Sequence, residues 1–384
     1  MMGKVLGIIG GGQLGMMLTE AASRMPEISK VIVLDPTEKC PASQKGAEQI
    51  IADFKDETAI TRLAERSDVI TYEIESGNST VLKSLEGKTS VNPSPETLQI
   101  IQDKLLQKSF LSQNGLPVAE FTSIDSVDHL RVKLNEFGFP ALLKARRDAY
   151  DGRGNFKIDS PDQIQNAHDF LKGQTLMLER FVRFRMEISV IAARNTNGEI
   201  KSFPPVENIH KVNILHQTIA PARISKAITV KAQEIARKTM SVLKGSGVFG
   251  IEMFVTKDDS ILINEIAPRV HNSGHHTLQS SRTSQFEQHL RAILGMELGD
   301  SDLLYPTIMC NILGPKEFQG RYAEPKISEP NVFLKMYGKS VSKPYRKLGH
   351  FNLVGKNNES TDQLLEKAII IKDRISINPD ENSK

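Results

Sequence analysis

The chain has 384 residues, of which 49 are basic and 46 acidic, so its formal net charge at pH 7 is +3. This balance excludes the broad basic surface of a general nucleic-acid binder. Only two cysteines occur, Cys40 and Cys310, which argues against a disulfide framework and favours a reducing cytoplasm. Glycines interrupt the apolar stretch 5–18, and no apolar run reaches about eighteen residues, so neither a signal peptide nor a membrane span is expected.

The N-terminal part of the chain alternates strand-like and helix-like segments. The strand-like runs are KVLGIIG, KVIVLD, DVITYEIE and TSVNP, and helix-like runs such as LGMMLTEAASRM and DETAITRLAERS lie between them. This alternation predicts a parallel sheet wound in right-handed β-α-β units. The next segment, SPETLQIIQDKLLQKSFLSQNG, begins with Ser-Pro and ends in Gly, which predicts one long helix.

The pattern then becomes rich in β-strands, from FPALLKARR to SILINEIAP. Few helices interrupt these runs, and the clearest of them is SKAITVKAQEIARKTMSVLKGSG. From about residue 296 a smaller region follows, with short strands and a polar tail.

A glycine loop follows the first predicted strand. Gly10, Gly12 and Gly15 satisfy the spacing G-x-G-x-x-G, and Asp35 closes the next apolar run. This spacing alone is typical of a dinucleotide-binding oxidoreductase. The pattern is not specific, so the loop could also serve another ligand.

Two glutamates face each other if VFGIEMFVTKDDSILINEIAPR forms a hairpin. With Asp258 and Asp259 at its tip, Glu252 lies opposite Glu265 and Phe254 lies opposite Ile263, whereas a tip of odd length would change this register. Directly opposed like charges destabilise a sheet. A cation should therefore bridge them, and carboxylates suit Mg²⁺ bound jointly with phosphates. The alternative is that both glutamates face solvent.

Three further polar segments could bind anions. Lys144 ends a strand and precedes a basic, glycine-containing loop, ARRDAYDGRGN, which suits nucleotide phosphates but could be an ordinary solvated hairpin loop. The segment APRVHNSGHH contains Arg269, His271, Asn272, His275 and His276, and it indicates an anionic substrate more than zinc, because no supporting Cys or H-E-x-x-H pattern occurs. The segment YGKSVSKPYRKLGH contains Lys339, Lys343, Arg346, Lys347 and His350, which form either a solvated face or a phosphate anchor.

The order of these motifs resembles one ATP-grasp family. GGGQLG, YEIE, KARRDAYDGRG, LERFV, ENIHKVNILH, INEIAPRVHNSGH, TSQFEQHLRA and YGK with YRKLGH are similar to the 5-(carboxyamino)imidazole ribonucleotide synthases of purine biosynthesis, from residue 4 to about 355. The resemblance implies a Rossmann-like pre-ATP-grasp α/β domain (1–104), a two-subdomain α+β ATP-grasp domain (105–295, lid about 120–182) and a small β-rich C-terminal domain (296–384). It implies that ATP, bicarbonate and 5-aminoimidazole ribonucleotide are converted, through carboxyphosphate, to N-carboxyaminoimidazole ribonucleotide, ADP and phosphate by a homodimer.

The resemblance also implies residue roles on the nucleotide side. The residues implied to bind ATP are Lys104, Lys144, the lid loop Ala149, Tyr150, Asp151, Gly152, Arg153, Gly154 and Asn155, then Glu179, Arg180, Phe181, Val182, Glu187, His210, Asn264 and Glu265. Glu252 and Glu265 are implied to hold Mg²⁺. His210, like His216, could instead be an ordinary surface histidine.

On the acceptor side the implied residues are Gln13, Leu14, Glu73, Glu75, Tyr150, Arg269, His271, Asn272, Lys339, Arg346 and Lys347. Asp151 is implied as the base or proton relay for the exocyclic amine, and Lys339, Arg269 and His271 are implied to take part in catalysis beside it. In this interpretation the glycine loop approaches a ribonucleotide, NAD is not needed, and Asp35 has no ribose to hold.

The chain departs from the family pattern at two places. Asp148-Ala149 stand where the family usually has Gly-Gly, which predicts weaker ATP affinity or slower lid closure, and EIESGNS lacks the usual Asn-Val/Ile-Pro ending. A formate-dependent glycinamide ribonucleotide transformylase, an NAD-dependent oxidoreductase and a silent nucleotide-binding regulator are alternatives. Intact Lys144, Asp151, Glu252 and Glu265 argue against the last of these.

Overall fold

The computed structural model describes residues 3–148, 154–357 and 359–380. Its first elements are β1 (Lys4–Ile9), α1 (Gln13–Ala22), β2 (Ile28–Leu34), β3 (Glu48–Ile50), α2 (Glu57–Glu65), β4 (Val69–Tyr72), α3 (Ser79–Ser84), β5 (Ser90–Val91), α4 (Pro95–Gln102) and α5 (Lys104–Gln113). They are followed by β6 (Phe121–Ile124), α6 (Val127–Phe137), β7 (Ala141–Ala145), β8 (Asn155–Ile158), α7 (Ile164–Phe170) and β9 (Leu176–Arg180).

The remaining elements are β10 (Phe184–Arg194), β11 (Ile200–Ser202), β12 (Val206–Lys211), β13 (Ile214–Ala220), α8 (Lys226–Leu243), β14 (Gly247–Thr256), β15 (Ile261–Ala267), α9 (Thr277–Ser280) and α10 (Gln285–Ile293). The C-terminal ones are β16 (Thr307–Leu313), β17 (Tyr322–Ala323), β18 (Val332–Met336), β19 (Lys347–Val354), α11 (Thr361–Asp373) and β20 (Asn378–Pro379). Short 3₁₀ turns lie at Ser43–Lys45, Pro161–Gln163 and Asn272–Gly274.

The N-terminal sheet has the strand order β3-β2-β1-β4-β5, and all its pairs are parallel. The predicted parallel β-α-β arrangement is therefore confirmed. Its core continues into the rest of the molecule, because Ile8 and Met17 share one apolar cluster with Phe286 and Tyr337. The glycine loop is thereby held against the central part of the protein.

Two larger antiparallel sheets follow, and β17 pairs with β20 in a third, two-stranded one. A small sheet has the order β6-β9-β7-β8 and contains the strands before and after the lid loop. The central sheet runs β15-β14-β10-β12-β13-β16-β19-β18, with β11 paired to β10. Three C-terminal strands, β16, β19 and β18, therefore extend the central sheet through the β13–β16 pair. Among the described residues, no helix combines the length and apolar content that a bilayer crossing needs.

The predicted single helix over 94–115 is wrong, because the chain leaves the helical conformation at Asp103. The backbone of Asp103 is extended (φ −111°, ψ 111°), and its carboxylate accepts hydrogen bonds from the N–H groups of Leu105 and Leu106. The same buried carboxylate pairs with Arg146 at 2.7 Å and Arg147 at 3.2 Å. Asp103 thus caps α5 and joins it to the start of the lid loop.

Candidate active site

Glu252 on β14 lies directly opposite Glu265 on β15, as the sequence predicts. The predicted pairing of Phe254 with Ile263 is wrong, because Phe254 pairs with Leu262. The hairpin tip is closed by a hydrogen bond from Thr256 N–H to the Ser260 carbonyl, which gives an odd-length loop. Asn264 is then an unpaired bulge residue, and this bulge restores the register at the two glutamates.

The facing carboxylates carry charge that protein cations only partly neutralise. Burial and the neighbouring Glu265 raise the pKa of Glu252 to about 7, and the nearest ring nitrogen, His271 Nε2, is 3.4 Å from its oxygen. Lys104 Nζ lies 2.7 Å from Glu265, and this contact outweighs desolvation and lowers the Glu265 pKa. An incompletely neutralised pair of hard oxygen ligands fits Mg²⁺. Because no group of three or more His, Cys, Asp or Glu side chains is arranged for a metal within the described ranges, further ligands would come from phosphates or water.

A buried ion cluster lies beside this pair. Glu179 at the end of β9 contacts Lys144 Nζ at 2.9 Å with one oxygen and Lys108 Nζ at 3.0 Å with the other. Desolvation opposes the ionised carboxylate, but the two ammonium groups outweigh it and lower the Glu179 pKa to about 2. The resemblance implies that Glu179 binds ATP but does not indicate Lys108, although Lys104 and Lys108 have the i, i+4 spacing of one helix face.

Outside the lid loop, the remaining residues implied to bind ATP are the pair Glu187 and His210, and the segment from Arg180 to Val182 at the end of β9. Glu187 and His210 lie on paired strands and form an ion pair of 2.7 Å, and this pair outweighs desolvation to raise the His210 pKa. Arg180 instead pairs with Glu120 at 2.7 Å, and Phe181 and Val182 follow it in the connection to β10.

The base of the lid loop is partly described. Gly154 accepts a hydrogen bond from Ala145 N–H at 2.7 Å, and Asn155 begins β8 opposite Lys144. Asp148 has a left-handed backbone (φ +54°) and lies 3.9 Å from Lys55. The implied lid residues Ala149, Tyr150, Asp151, Gly152 and Arg153 lie outside the described residues.

The glycine loop binds a carboxylate of the protein itself. Glu73 accepts hydrogen bonds from the N–H groups of Gly12 and Gly15, the second at 2.6 Å, and burial raises its pKa. Gly10 has φ +98°, and a Cβ there would collide with the Glu73 side chain. Asp35 likewise accepts from Gly11 N–H at 2.8 Å. Because these donors are engaged within the protein, the arrangement argues against a pyrophosphate on this loop.

A second cluster adjoins Glu73. Arg269 pairs with Glu75 at 2.7 Å, and its charge acts on Glu73. His271 packs against β14 at Gly250, where a Cβ would collide with its ring, and Gln285 fixes its backbone through hydrogen bonds of 2.9 and 2.7 Å. Burial and then Arg269 hold the His271 pKa well below its usual range.

The other residues of the APRVHNSGHH segment divide between the cleft and the core. Asn272 exchanges amide hydrogen bonds with Asn311. His275 and His276 are buried, and burial lowers the pKa of His276 to about 3. These two histidines belong to the core, and so the part of the prediction that aims them at a substrate is wrong.

The residues of the C-terminal basic segment also lie in different environments. Lys339 donates to the Lys347 carbonyl at 2.8 Å, and its charge interacts with those of Arg346, Glu73 and Lys347. The segment therefore lies near the glycine loop and Glu73. His350 is buried against the Tyr337 hydroxyl at 2.9 Å, and Lys343 is exposed. At the start of α1, Gln13 is half-buried and Leu14 is buried. His216 contacts Lys372 at 3.2 Å.

Comparison with known proteins agrees with this arrangement. The chain matches models of the ribonucleotide synthetase preATP-grasp domain (2–102), the ATP-grasp domain (109–286) and the phosphoribosylaminoimidazole carboxylase C-terminal domain (307–364). It is 42% identical to the N5-carboxyaminoimidazole ribonucleotide synthase of Bacillus subtilis over 92% of each chain.

Solved structures are similarly close. The N5-carboxyaminoimidazole ribonucleotide synthetase of Thermotoga maritima has 43% identity and a TM-score of 0.88, covering 98% of this chain and all of that one. The Aspergillus clavatus enzyme, in complex with ADP and 5-aminoimidazole ribonucleotide, has 36% identity and a TM-score of 0.89, covering 97% of this chain and all of that one. The chain belongs to the N5-carboxyaminoimidazole ribonucleotide synthase family of ATP-grasp enzymes.

Proposed function

We propose that this protein carboxylates 5-aminoimidazole ribonucleotide with bicarbonate at the expense of ATP, as a ligase of purine biosynthesis. The observation that carries the proposal is the opposed pair Glu252 and Glu265, with Lys104 bound to Glu265 and the Arg269–Glu75 pair close enough for the Glu75 charge to act on Lys104. Homologous structures support ATP and the ribonucleotide as substrates, since the Aspergillus clavatus enzyme is described in one complex with ATP and in another with ADP and 5-aminoimidazole ribonucleotide.

The nucleotide side would bind ATP through charge and position. Lys104 and Lys144 supply ammonium groups to the phosphates, and the Glu187–His210 pair is available to the ribose. Glu252 and Glu265 would hold Mg²⁺, which supplies charge neutralisation on the phosphates when it is bound. Phosphoryl transfer of this kind depends mainly on positioning and on stabilisation of developing charge. Its acceptor would be bicarbonate, and the product would be carboxyphosphate, the local source of CO₂.

The acceptor side would orient the ribonucleotide. The uncharged His271 lies 3.4 Å from Glu252, and Arg269, which pairs with Glu75, acts on His271 through its charge. These two side chains would hold bicarbonate and the aminoimidazole. Lys339, Arg346 and Lys347 would bind the ribose phosphate next to the glycine loop. Tyr150 is proposed at the acceptor and Asp151 as the base or relay that removes the amine proton. We also propose a cytoplasmic homodimer.

ADP release with different acceptors tests the function. We expect release to require 5-aminoimidazole ribonucleotide in bicarbonate buffer with Mg²⁺, and to remain at background with glycinamide ribonucleotide and formate. The reverse preference would identify a transformylase and overturn the proposal. NAD binding without ATP turnover would overturn the ATP-grasp assignment of the site as well.

A further inference from the structure

One face of α5 contacts the β15 bulge that positions Glu265. Lys104 contacts the Glu265 carboxylate at 2.7 Å, and Gln107 Oε1 accepts a hydrogen bond from Ile266 N–H at 3.1 Å. Lys108 Nζ donates to the Ile263 carbonyl at 3.1 Å. These contacts flank the unpaired bulge residue, so α5 provides partners for backbone groups on both sides of it.

Lys108 also reaches the lid sheet. Its ammonium lies 3.0 Å from Glu179 Oε2 on β9, and both side chains are buried, at 4% and 2% exposed. A single side chain therefore connects the strand that carries Glu265 with the strand that carries Glu179. Removal of one partner from a buried ion pair is strongly destabilising. The ion pair of Lys108 with Glu179 and its hydrogen bond to the Ile263 carbonyl therefore restrict the relative position of these two strands.

The charges of the cluster do not cancel. Two ammonium groups, Lys108 and Lys144, share one carboxylate, Glu179. If Lys108 were absent, Lys144 and Glu179 would form a neutral pair with little attraction for a phosphate. With Lys108 in place, the Glu179 charge is balanced and the positive charge of Lys144 is available to an anion. Buried charges interact strongly because water screens them poorly.

We propose that Lys108 is a positioning residue for the nucleotide, which holds Glu179 against the bulge of β15 and leaves the charge of Lys144 for the phosphates. It acts through Glu179 and Lys144 and touches no substrate itself. This inference rests on the proposed function, because it presumes that the cleft binds ATP.

Equilibrium binding of ADP and of adenosine to the Lys108→Met variant tests the inference. Without the second ammonium group, we expect ADP affinity to fall about ten-fold. Adenosine, which has no phosphate, should bind within about two-fold of the unmodified protein. In steady state, the KM for ATP should rise while the KM for 5-aminoimidazole ribonucleotide stays constant. Lys108→Gln, which keeps a donor for the Ile263 carbonyl but has no charge, should behave like Lys108→Met and replaces it if that variant does not fold.

Lys238→Met is the matched control, because Lys238 also donates to a backbone carbonyl, that of Gly115 at 2.9 Å, but forms no ion pair with any carboxylate of the described residues. It should bind both ligands normally. Equal losses for ADP and adenosine would show a structural role only and overturn the inference, as would unchanged ADP affinity. If the unmodified protein binds no ADP, the proposed function itself fails.

Discussion

The ammonium group of Lys339 should make binding of 5-aminoimidazole ribonucleotide weaken as the pH rises. Burial and the neighbouring Arg346 lower the Lys339 pKa to about 7, because the charged form loses water and faces another cation. Glu73 favours the charged form and Lys347 opposes it, and the ammonium lies 5.6 Å above the Tyr337 ring. In the free protein the side chain is therefore mostly charged below pH 7 and mostly neutral above it.

The size of the effect follows from this pKa. About nine tenths of the Lys339 side chains are charged at pH 6 and about one tenth at pH 8. If only the ammonium form binds the ribose phosphate, the affinity falls about ten-fold between these pH values. The ribose phosphate itself loses its second proton at about pH 6, and its larger negative charge would strengthen binding of the ribonucleotide as the pH rises. The two effects have opposite signs, so a fall in affinity identifies the lysine.

Initial rates over this pH range, at saturating ATP, give the KM for the ribonucleotide. Lys339→Arg keeps its charge throughout and should remove the rise in KM with pH, whereas Lys339→Met should bind weakly at every pH. The KM for ATP serves as the internal control. A KM for the ribonucleotide that stays flat in the unmodified protein, or the same rise in the arginine variant, would refute the reasoning.

Three further substitutions probe the site. Asp148→Gly removes a negative charge, and it also removes the cost, about 1 kcal/mol, of holding a non-glycine residue in the left-handed conformation. ATP titration should therefore show tighter binding, or turnover should be faster, and unchanged values would contradict this. Glu252→Gln relieves the repulsion between this side chain and the Glu265 carboxylate, so the melting temperature of the variant at pH 8 should rise. Its Mg²⁺-dependent turnover should fall at least about 100-fold. A lower melting temperature would show that the repulsion is already neutralised. Gly15→Ala places a Cβ 2.6 Å from the Gly10 carbonyl oxygen, and urea unfolding should show a loss of about 1–3 kcal/mol; an unchanged midpoint would contradict the close approach.

Hydrophobic periodicity predicts elements that bury one continuous face, and here it identifies the parallel sheet and α8 correctly. It does not identify the break at Asp103, because Ser-Pro and Gly give helix signals only at the two ends of the segment. The reason for the break is tertiary, since the Asp103 carboxylate both caps α5 and pairs with Arg146. No local pattern contains that second partner.

The opposed glutamates show how a correct prediction can rest on an incomplete reason. Symmetry about Asp258 and Asp259 places Glu252 opposite Glu265, yet the observed tip shifts the register by one residue. The bulge at Asn264 shifts it back, so the pairing holds for the glutamates and fails for Phe254. The two irregularities cancel from Glu252 onward, on the side of the bulge away from the tip, and they do not cancel between the bulge and the tip, so residue spacing cannot reveal them.

Buried polar residues are the part of the site that sequence patterns describe least well. Lys108 and Gln107 resemble the solvent face of an amphipathic helix, and only their partners on other strands explain why both are buried. Burial of a charge requires a partner, and that of Lys108 is Glu179, on a different sheet. A sequence can therefore indicate which strands meet at the cleft, whereas the side chains that fix those strands relative to each other emerge only when the fold brings their partners together.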